Sequence, residues 1–242
     1  MPRLTLSSLF AFAVCAAGCA SAASLELSRV PESSSHGEAG SNREEDFESE
    51  GLLGTLSQDE ISRALRPKMG AFLECFTDRY RSVEFLSGAI QLVFRVSVEG
   101  RVRWVYPAVS DIGDRVAERC LLERARRVHF SRPRGGEAEF SLPLAIDPQE
   151  EIRPPFPWNE ARLSGVISEH SAALVSHCGP DLVAPIWRIT VYVSPGGELL
   201  AAGASAASVD TAAKIDCVID SIQAWPMPDP GSYPAKVSFT LQ

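Results

Sequence analysis

Cysteine and histidine carry most of the reactive chemistry open to this 242-residue chain, which holds six of the first and four of the second. The cysteines are Cys15, Cys19, Cys75, Cys120, Cys178 and Cys217; the histidines are His36, His129, His170 and His177. A nucleophile needs a base within reach, and the base needs an orienting group. No histidine here stands in a Ser-His-Asp or Cys-His signature. His177 and Cys178, with His170 and Cys217, offer metal-ligating donors, but their spacing fits no standard zinc pattern. The expectation is that His170 borders a helix core, that His177 lies at an exposed helix end, and that there is no metal and no cofactor. The stretches "PRGG" and "PGG" are turns without a Walker Lys-Ser/Thr or GxGxxG context, so no phosphate cradle is predicted. No catalytic residue is assigned, and the chain reads as non-enzymatic.

Charge is uneven along the chain. The formal net charge is -8, but residues 25–51 hold eight acids against two bases, a local -6. The remainder is close to neutral, so whole-chain acidity says little about partners. Arg124, Arg126, Arg127, Arg132 and Arg134 form a candidate basic interaction face for an anionic partner. The plainer explanation is that Arg124 to Arg127 complement the negative end of a helix. A third is that the acids of residues 44–50 fold back onto them.

The first 22 residues have one Arg, an apolar run and then small residues, the pattern of a secretory signal. Ala-Ala-Gly-Cys ending at Cys19 resembles a bacterial lipobox, although Ala16 stands where Leu is usual. Cleavage before Cys19 with lipidation of its thiol is the preferred reading; an ordinary signal-peptidase site at residues 20–22 is the alternative. Residues 23–51 are rich in Ser, Glu and Gly and read as an acidic flexible tether. Folded sequence is expected over 52–147 and 158–242, joined by a Pro-rich linker at 148–157.

The two folded blocks read alike. In the first, "SQDE" at 57–60 is a capping box, and Ile61, Leu65, Met69, Phe72 and Phe76 make one helical stripe interrupted at Pro67. Ile90, Leu92, Phe94, Val96 and Val98 alternate as a strand. After a turn at Gly100, Val102, Trp104 and Tyr106 continue the alternation. Ser110 or Asp111 is expected to cap a helix with Val116, Cys120 and residues 125–128 facing inward. Ala138, Phe140, Leu142, Leu144 and Ile146 close the block as a strand. In the second block, Leu163, Ile167, Leu174 and Cys178 form the helical stripe, ended by Gly179. Ile189, Val191 and Val193 alternate, residues 195–197 turn, and Ser208 caps a helix with Ala213, Cys217, Ile219 and Ile222. Val237, Phe239 and Leu241 are the last strand. Trp104, Tyr106, Trp187 and Tyr192 are expected to pack the sheets against helices; facing outward, they would be contact anchors.

Gly100 and Gly197, Cys120 and Cys217, and Phe140 and Val237 are each 97 positions apart, which argues for duplication. The fold class predicted is α+β: two tandem small helix-strand-strand-helix-strand lobes, each with an antiparallel sheet packed on helices. An exported chain meets an oxidising compartment, and the duplication selects Cys75–Cys120 and Cys178–Cys217 from the three connectivities of four cysteines. Unbonded buried thiols are the alternative.

The stretches "LECF" at Cys75, "FRVSVEGRVRWVYPAVSD" and "RCLLERARRVHFSRPRGGEAEFSLPL" resemble the AgmX/PglI C-terminal domain, a relative of the TonB C-terminal domain of Gram-negative envelope proteins. The resemblance covers about 52–147. The second block keeps Cys178, Gly197, Cys217, Trp225 and Pro226 but has Gly179 in place of the aromatic after its first Cys. What the resemblance implies is a periplasmic adaptor fold that binds partners by strand addition at a sheet edge.

Together these observations lead to an exported lipoprotein, held on the outer membrane through Cys19 and facing the periplasm, or soluble there. Its expected partner is an envelope protein or cell-wall component, with no nucleic acid. A soluble ligand-binding or structural protein without a protein partner, and an enzyme with a site between the lobes, are the alternatives. The intact mass of the mature chain tests this reading. The expected result is a chain that starts at acylated Cys19 and gains four hydrogens on reduction; a start near Ala23 with four free thiols would remove both anchor and disulfides.

Overall fold

Strict alternation in the sequence becomes two small sheets, each backed by helices, in a computed structural model that describes residues 53–147, 149, 151–180, 182 and 186–242. The predicted signal at 1–22, the lipidation site Cys19 and the tether at 23–51 lie outside the described residues.

The first lobe begins with α1 (Gln58–Leu65), whose capping box is formed: the Ser57 side chain accepts from the Glu60 N–H, and Glu60 reaches back to the Ser57 N–H. Pro67 does interrupt the helical stripe. Arg66–Lys68 form one 3₁₀ turn with the proline in its first positions, and α2 (Met69–Thr77) starts anew. That rotation turns Met69 out to 41% exposure, so it leaves the predicted buried stripe. β1 (Gly88–Val96) buries Ile90, Leu92, Phe94 and Val96 as predicted but ends before Val98, which is exposed. A turn at Gly100 leads to β2 (Val102–Ser110), and α3 (Arg115–Arg126) and β3 (Ala138–Ile146) complete the lobe. The strand order is β2-β1-β3, antiparallel throughout.

α3 departs from expectation at its start. Asp114, not Ser110 or Asp111, is the N-cap and accepts from the Ala117 N–H at 2.8 Å. The helix therefore begins later, its buried face is Ala117, Glu118, Leu121, Leu122 and Ala125, and Val116 is exposed. Trp104 and Tyr106 differ too. They pair with Arg95 and Val93, the outward residues of β1, while Val105 faces Phe94 in the core. Both aromatics thus lie half-buried on the sheet face opposite the helices.

The second lobe opens with β4 (Phe156–Trp158), formed by residues assigned to the linker and to the first residue after it. It pairs parallel with the last strand, so this sheet is mixed rather than antiparallel. α4 (Ser164–Cys178) follows a 3₁₀ turn containing Leu163 and ends at Gly179. β5 (Trp187–Val193) and β6 (Leu199–Ala206) form the central hairpin. Ser208 caps only the four-residue α5 (Val209–Ala212); α6 (Ile215–Ile222) carries Cys217, and β7 (Ala235–Leu241) closes the sheet in order β4-β7-β5-β6.

The architecture is α+β, and the two sheets share one register over Leu92–Val96 and Ile189–Val193, apart from a bulge before Leu92 that the second sheet lacks. Leu92 faces Pro107 and Leu142; 97 positions on, Ile189 faces Ala204 and Phe239. The turn glycines match as well. Gly100 and Gly197 have φ of 86° and 84°, and a Cβ on either would strike the carbonyl of Phe130 or Met227. The predicted disulfides are present, Cys75–Cys120 tying α2 to α3 and Cys178–Cys217 tying α4 to α6, with Cα separations of 5.6 and 5.7 Å. Closing loops of this length limits the unfolded ensemble by about 3–4 kcal/mol in the chain-entropy account.

The lobes pack asymmetrically. Thr190, Tyr192, Ala201 and Gly203 lie on the second sheet's face away from its own helices, and the first lobe covers that face. Gly113 stands over Thr190 and Tyr192, and Phe85 meets the Tyr192 ring at 5.5 Å. The start of α3 runs over β6 so closely that a Cβ on Gly203 would sit 2.5 Å from Glu118 Oε1 and 2.8 Å from the Asp114 amide. Gly203→Ala is therefore expected to lower stability by about 1–3 kcal/mol. Gly70→Ala, whose Cβ meets nothing within 4 Å in α2, is expected to be neutral or to stabilise by up to about 1 kcal/mol. Thermal unfolding of the two variants checks the contrast.

Candidate functional site

Two features of the first lobe are open to a partner: the outer edge of β3, and the sheet face carrying Trp104 and Tyr106. β3 is last in its sheet, and among the described residues only Gly54, bridging Ala138, pairs with its outer edge. In the second lobe β4 pairs with the first part of the matching edge, Ala235–Val237, where Gly54 pairs in the first lobe. Pro143 fits an edge position, since a strand tolerates proline where the absent N–H faces away from the ladder. By the alternation of a strand, Ser141 and Ala145 then direct their N–H groups outward as well.

An apolar groove of about 280 Å³ runs beside this edge, lined by Met69, Phe72, Leu73 and Phe76 of α2 and Leu144 and Ile146 of β3. Leu73 is 50% exposed, and the inward residues Leu142, Leu144 and Ile146 are only half-buried. The helix does not reach far enough to cover the end of the strand. Backbone donors and acceptors beside an apolar trough are what an added strand needs: ladder bonds for affinity and alternate side chains for the trough.

On the open face, Trp104 and Tyr106 lie with ring centroids 5.6 Å apart. Arg95 and Arg103 bind Glu137, and Arg95 also reaches Glu139. Two cations and two anions therefore neutralise one another along that face. The other two strand aromatics are internal. Trp187 is fully buried and donates from Nε1 to the Thr211 carbonyl at 3.0 Å; Tyr192 lies under the first lobe, where burial raises its hydroxyl pKa.

The predicted basic run is divided among neighbours. Arg124 bonds Glu74 at 2.7 Å and the Ala71 carbonyl, joining α3 to α2. Arg134 approaches Glu60 at 3.5 Å, and Arg132 helps to hold Glu99 below the usual carboxylate range, behind hydrogen bonds from Ser97 and its own backbone and the Arg101 charge. Arg126 and Arg127 are exposed near the end of α3. His129 is exposed, and its backbone bridges Arg101. His170 stacks on Trp225 at 5.5 Å, and His177 is exposed at the end of α4.

The charged groups that sequence reasoning passed over lie between the lobes. Asp114 is 1% exposed, caps α3 and binds Arg79 through both carboxylate oxygens. Arg115 and Arg119 converge on Asp216 of α6 at 2.7 and 2.8 Å. Glu118 is fully buried; it accepts from Ser110 Oγ at 2.8 Å and, across the interface, from the Ala204 N–H at 3.1 Å. Lys236 donates to the Ser87 carbonyl at 2.8 Å, and burial lowers its pKa. A cleft of about 430 Å³ borders this region, with Arg79, Asp114, Arg115 and Glu198 among its lining residues. Among the described residues its lining contains no Ser, Cys, His or Lys, and Arg79 and Asp114 are already joined to each other.

Among the described residues, no helix is long and apolar enough to cross a membrane. The chain matches no protein-family profile, no curated protein and no solved structure.

Burial pushes the Glu118 carboxyl up to about 7; the bond from Ser110, the Arg115 charge and the Ala204 N–H oppose this, and the Asp114 charge adds to it. The native state therefore holds a proton that the unfolded chain releases near 4.5. Stability falls as pH rises through the window from about 4.5 to about 7 and stays lower above it. In Glu118→Gln the carboxamide accepts from Ala204 and donates to Ser110 Oγ, so both partners keep a bond and the titration disappears. The expected result is a flatter stability profile across that window and a variant more stable than the wild type at pH 8, read by denaturant unfolding between pH 4.5 and 8.

Proposed function

We propose that this chain is a non-enzymatic envelope adaptor: an exported, periplasm-facing lipoprotein anchored through Cys19, whose TonB C-terminal-like lobes hold an envelope protein by strand addition. The observation that carries this reading is the outer edge of β3 past Ala138, unpaired among the described residues, with the α2 groove beside it. The edge supplies main-chain bonds that any extended segment can use. The groove supplies selectivity for alternate apolar side chains of a partner strand. Disulfide-tied lobes suit an oxidising compartment.

The second lobe takes a supporting role in this account. β4 takes part of its corresponding edge, Ala235–Val237, and the first lobe covers much of its outer sheet face, so among the described residues the first lobe presents the longer open edge. The interlobe charges have structural partners, which accords with binding rather than catalysis.

Ser141→Pro and Ala145→Pro each remove one outward N–H without touching the bonds to β1. Both variants are expected to keep the wild-type melting temperature within a few degrees and to lose capture of the envelope partner, measured by crosslinking in intact cells. Leu73→Glu is expected to weaken capture by placing a charge in the groove. Undiminished capture by all three folded variants would sink the strand-addition reading.

A further inference from the structure

The two disulfides are alike in the elements they join and differ in what stands next to them. In the first lobe the residue before the helix cysteine is Glu74, and its carboxylate is taken by Arg124 at 2.7 Å. In the second lobe that residue is His177. Its imidazole converges on the sulfurs of Cys178 and Cys217, with the ligating atoms all within 4.8 Å of one another. Among the described residues no other trio of His, Cys, Asp and Glu side chains converges in this way.

We infer that His177, Cys178 and Cys217 form a metal site that is opened by reduction of their disulfide and takes a borderline-soft divalent cation of the zinc class. In the oxidised protein the sulfurs are bonded to each other and are poor ligands. A dithiol reductant changes this in a balanced step: the Cys178–Cys217 bond breaks, each sulfur gains one hydrogen, and the reductant leaves as its own disulfide. Binding of the cation then displaces both thiol protons, giving two thiolates and one neutral imidazole around a 2+ charge. That is a neutral three-ligand set with a fourth position open to water.

The local structure favours this. The two Cα atoms are 5.7 Å apart, a distance that lets both sulfurs reach one ion at about 2.3 Å after small side-chain rotations. Cys178 is buried, Cys217 is half-buried and His177 is exposed, so the cation enters from the imidazole side. The Ser221 hydroxyl, 3.6 Å from Cys178 Sγ, gives the buried sulfur a polar neighbour. With the metal in place, α4 and α6 remain tied after the covalent link is lost.

Cobalt(II) is the probe, because its absorption reports tetrahedral geometry and its charge-transfer bands count thiolates. The full chain is titrated before and after treatment with a phosphine reductant, which adds no competing thiol. The oxidised protein is expected to show no such bands; the reduced protein is expected to bind one equivalent with a two-thiolate spectrum. His177→Ala should weaken binding by at least about tenfold, since loss of even an outer-shell partner costs that much. A chain with Cys75→Ser and Cys120→Ser should bind as the wild type does. Absence of bands in the reduced protein, binding unaffected by His177→Ala, or binding that follows Cys75 and Cys120 would each overturn the assignment. If reduction unfolds the second lobe, recovery of its circular dichroism on adding cobalt supports the site, and failure to recover overturns it.

Discussion

A small sheet backed by helices on one side leaves its other side to water, and most of this structure follows from how the two lobes meet that constraint. β5 is buried on both faces: Ile189, Val191 and Val193 face the second core, while Thr190 and Tyr192 lie under the first lobe. Antiparallel sheets commonly leave one face solvated, and lobes of this size have little apolar surface to spare. Using the first lobe as a cover encloses the central strand of a marginal sheet on both sides over Ile189–Val193. Among the described residues the first sheet has no such cover, and its outer face carries Trp104 and Tyr106 beside charges that neutralise one another.

Close packing of that kind demands small residues on one side and satisfied polar groups on the other. Ala201, Gly203 and Ser205 make the receiving surface, and the first turn of α3 supplies the polar groups. Glu118 takes the one bond that ties a strand N–H of the second lobe to a helix of the first. Its counterpart 97 positions on, Ile215, is an ordinary core residue. A buried carboxyl is costly unless its partners are well placed, so its contribution lies in fixing how the lobes register rather than in holding them more tightly. Asp114 with Arg79, and Asp216 with Arg115 and Arg119, add orientation around it.

Much of the fold was legible because strand periodicity and cysteine spacing are local signals. The offset of 97 links Gly100 to Gly197 and Cys120 to Cys217, and the central strand pairs keep that offset from Leu92 to Val96. What escaped was set by tertiary contact. β6 is expected from the repeated element order but not from its own residues: it reads "LLAAGASA", poor in β-branched and aromatic residues, and α3 and β5 enclose it. β4 comes from a proline-rich stretch that gains its conformation by pairing with β7. Trp104 and Tyr106 obey the alternation, but a register irregularity between Arg95 and Val96 places them on the opposite face from the one periodicity suggested. The interlobe groups were invisible individually. Comparison of the repeats could have exposed them, since Glu118 stands against Ile215, Arg119 against Asp216 and Tyr106 against Gly203, pairs in which the chemistry changes sharply.

Those same differences decide which lobe can receive another. The packing of one lobe on the next is directional, and a directional contact between similar units can in principle continue without end. Where the second lobe offers Ala201 and Gly203 to an incoming helix, the first has Trp104 and Tyr106. Where Ala204 gives its N–H to a carboxylate, the first lobe has Pro107, which has none to give. A third unit arriving in the same manner would meet two rings and lose its anchoring bond. The first lobe thus does not offer to another lobe the receiving surface that the second lobe offers to it.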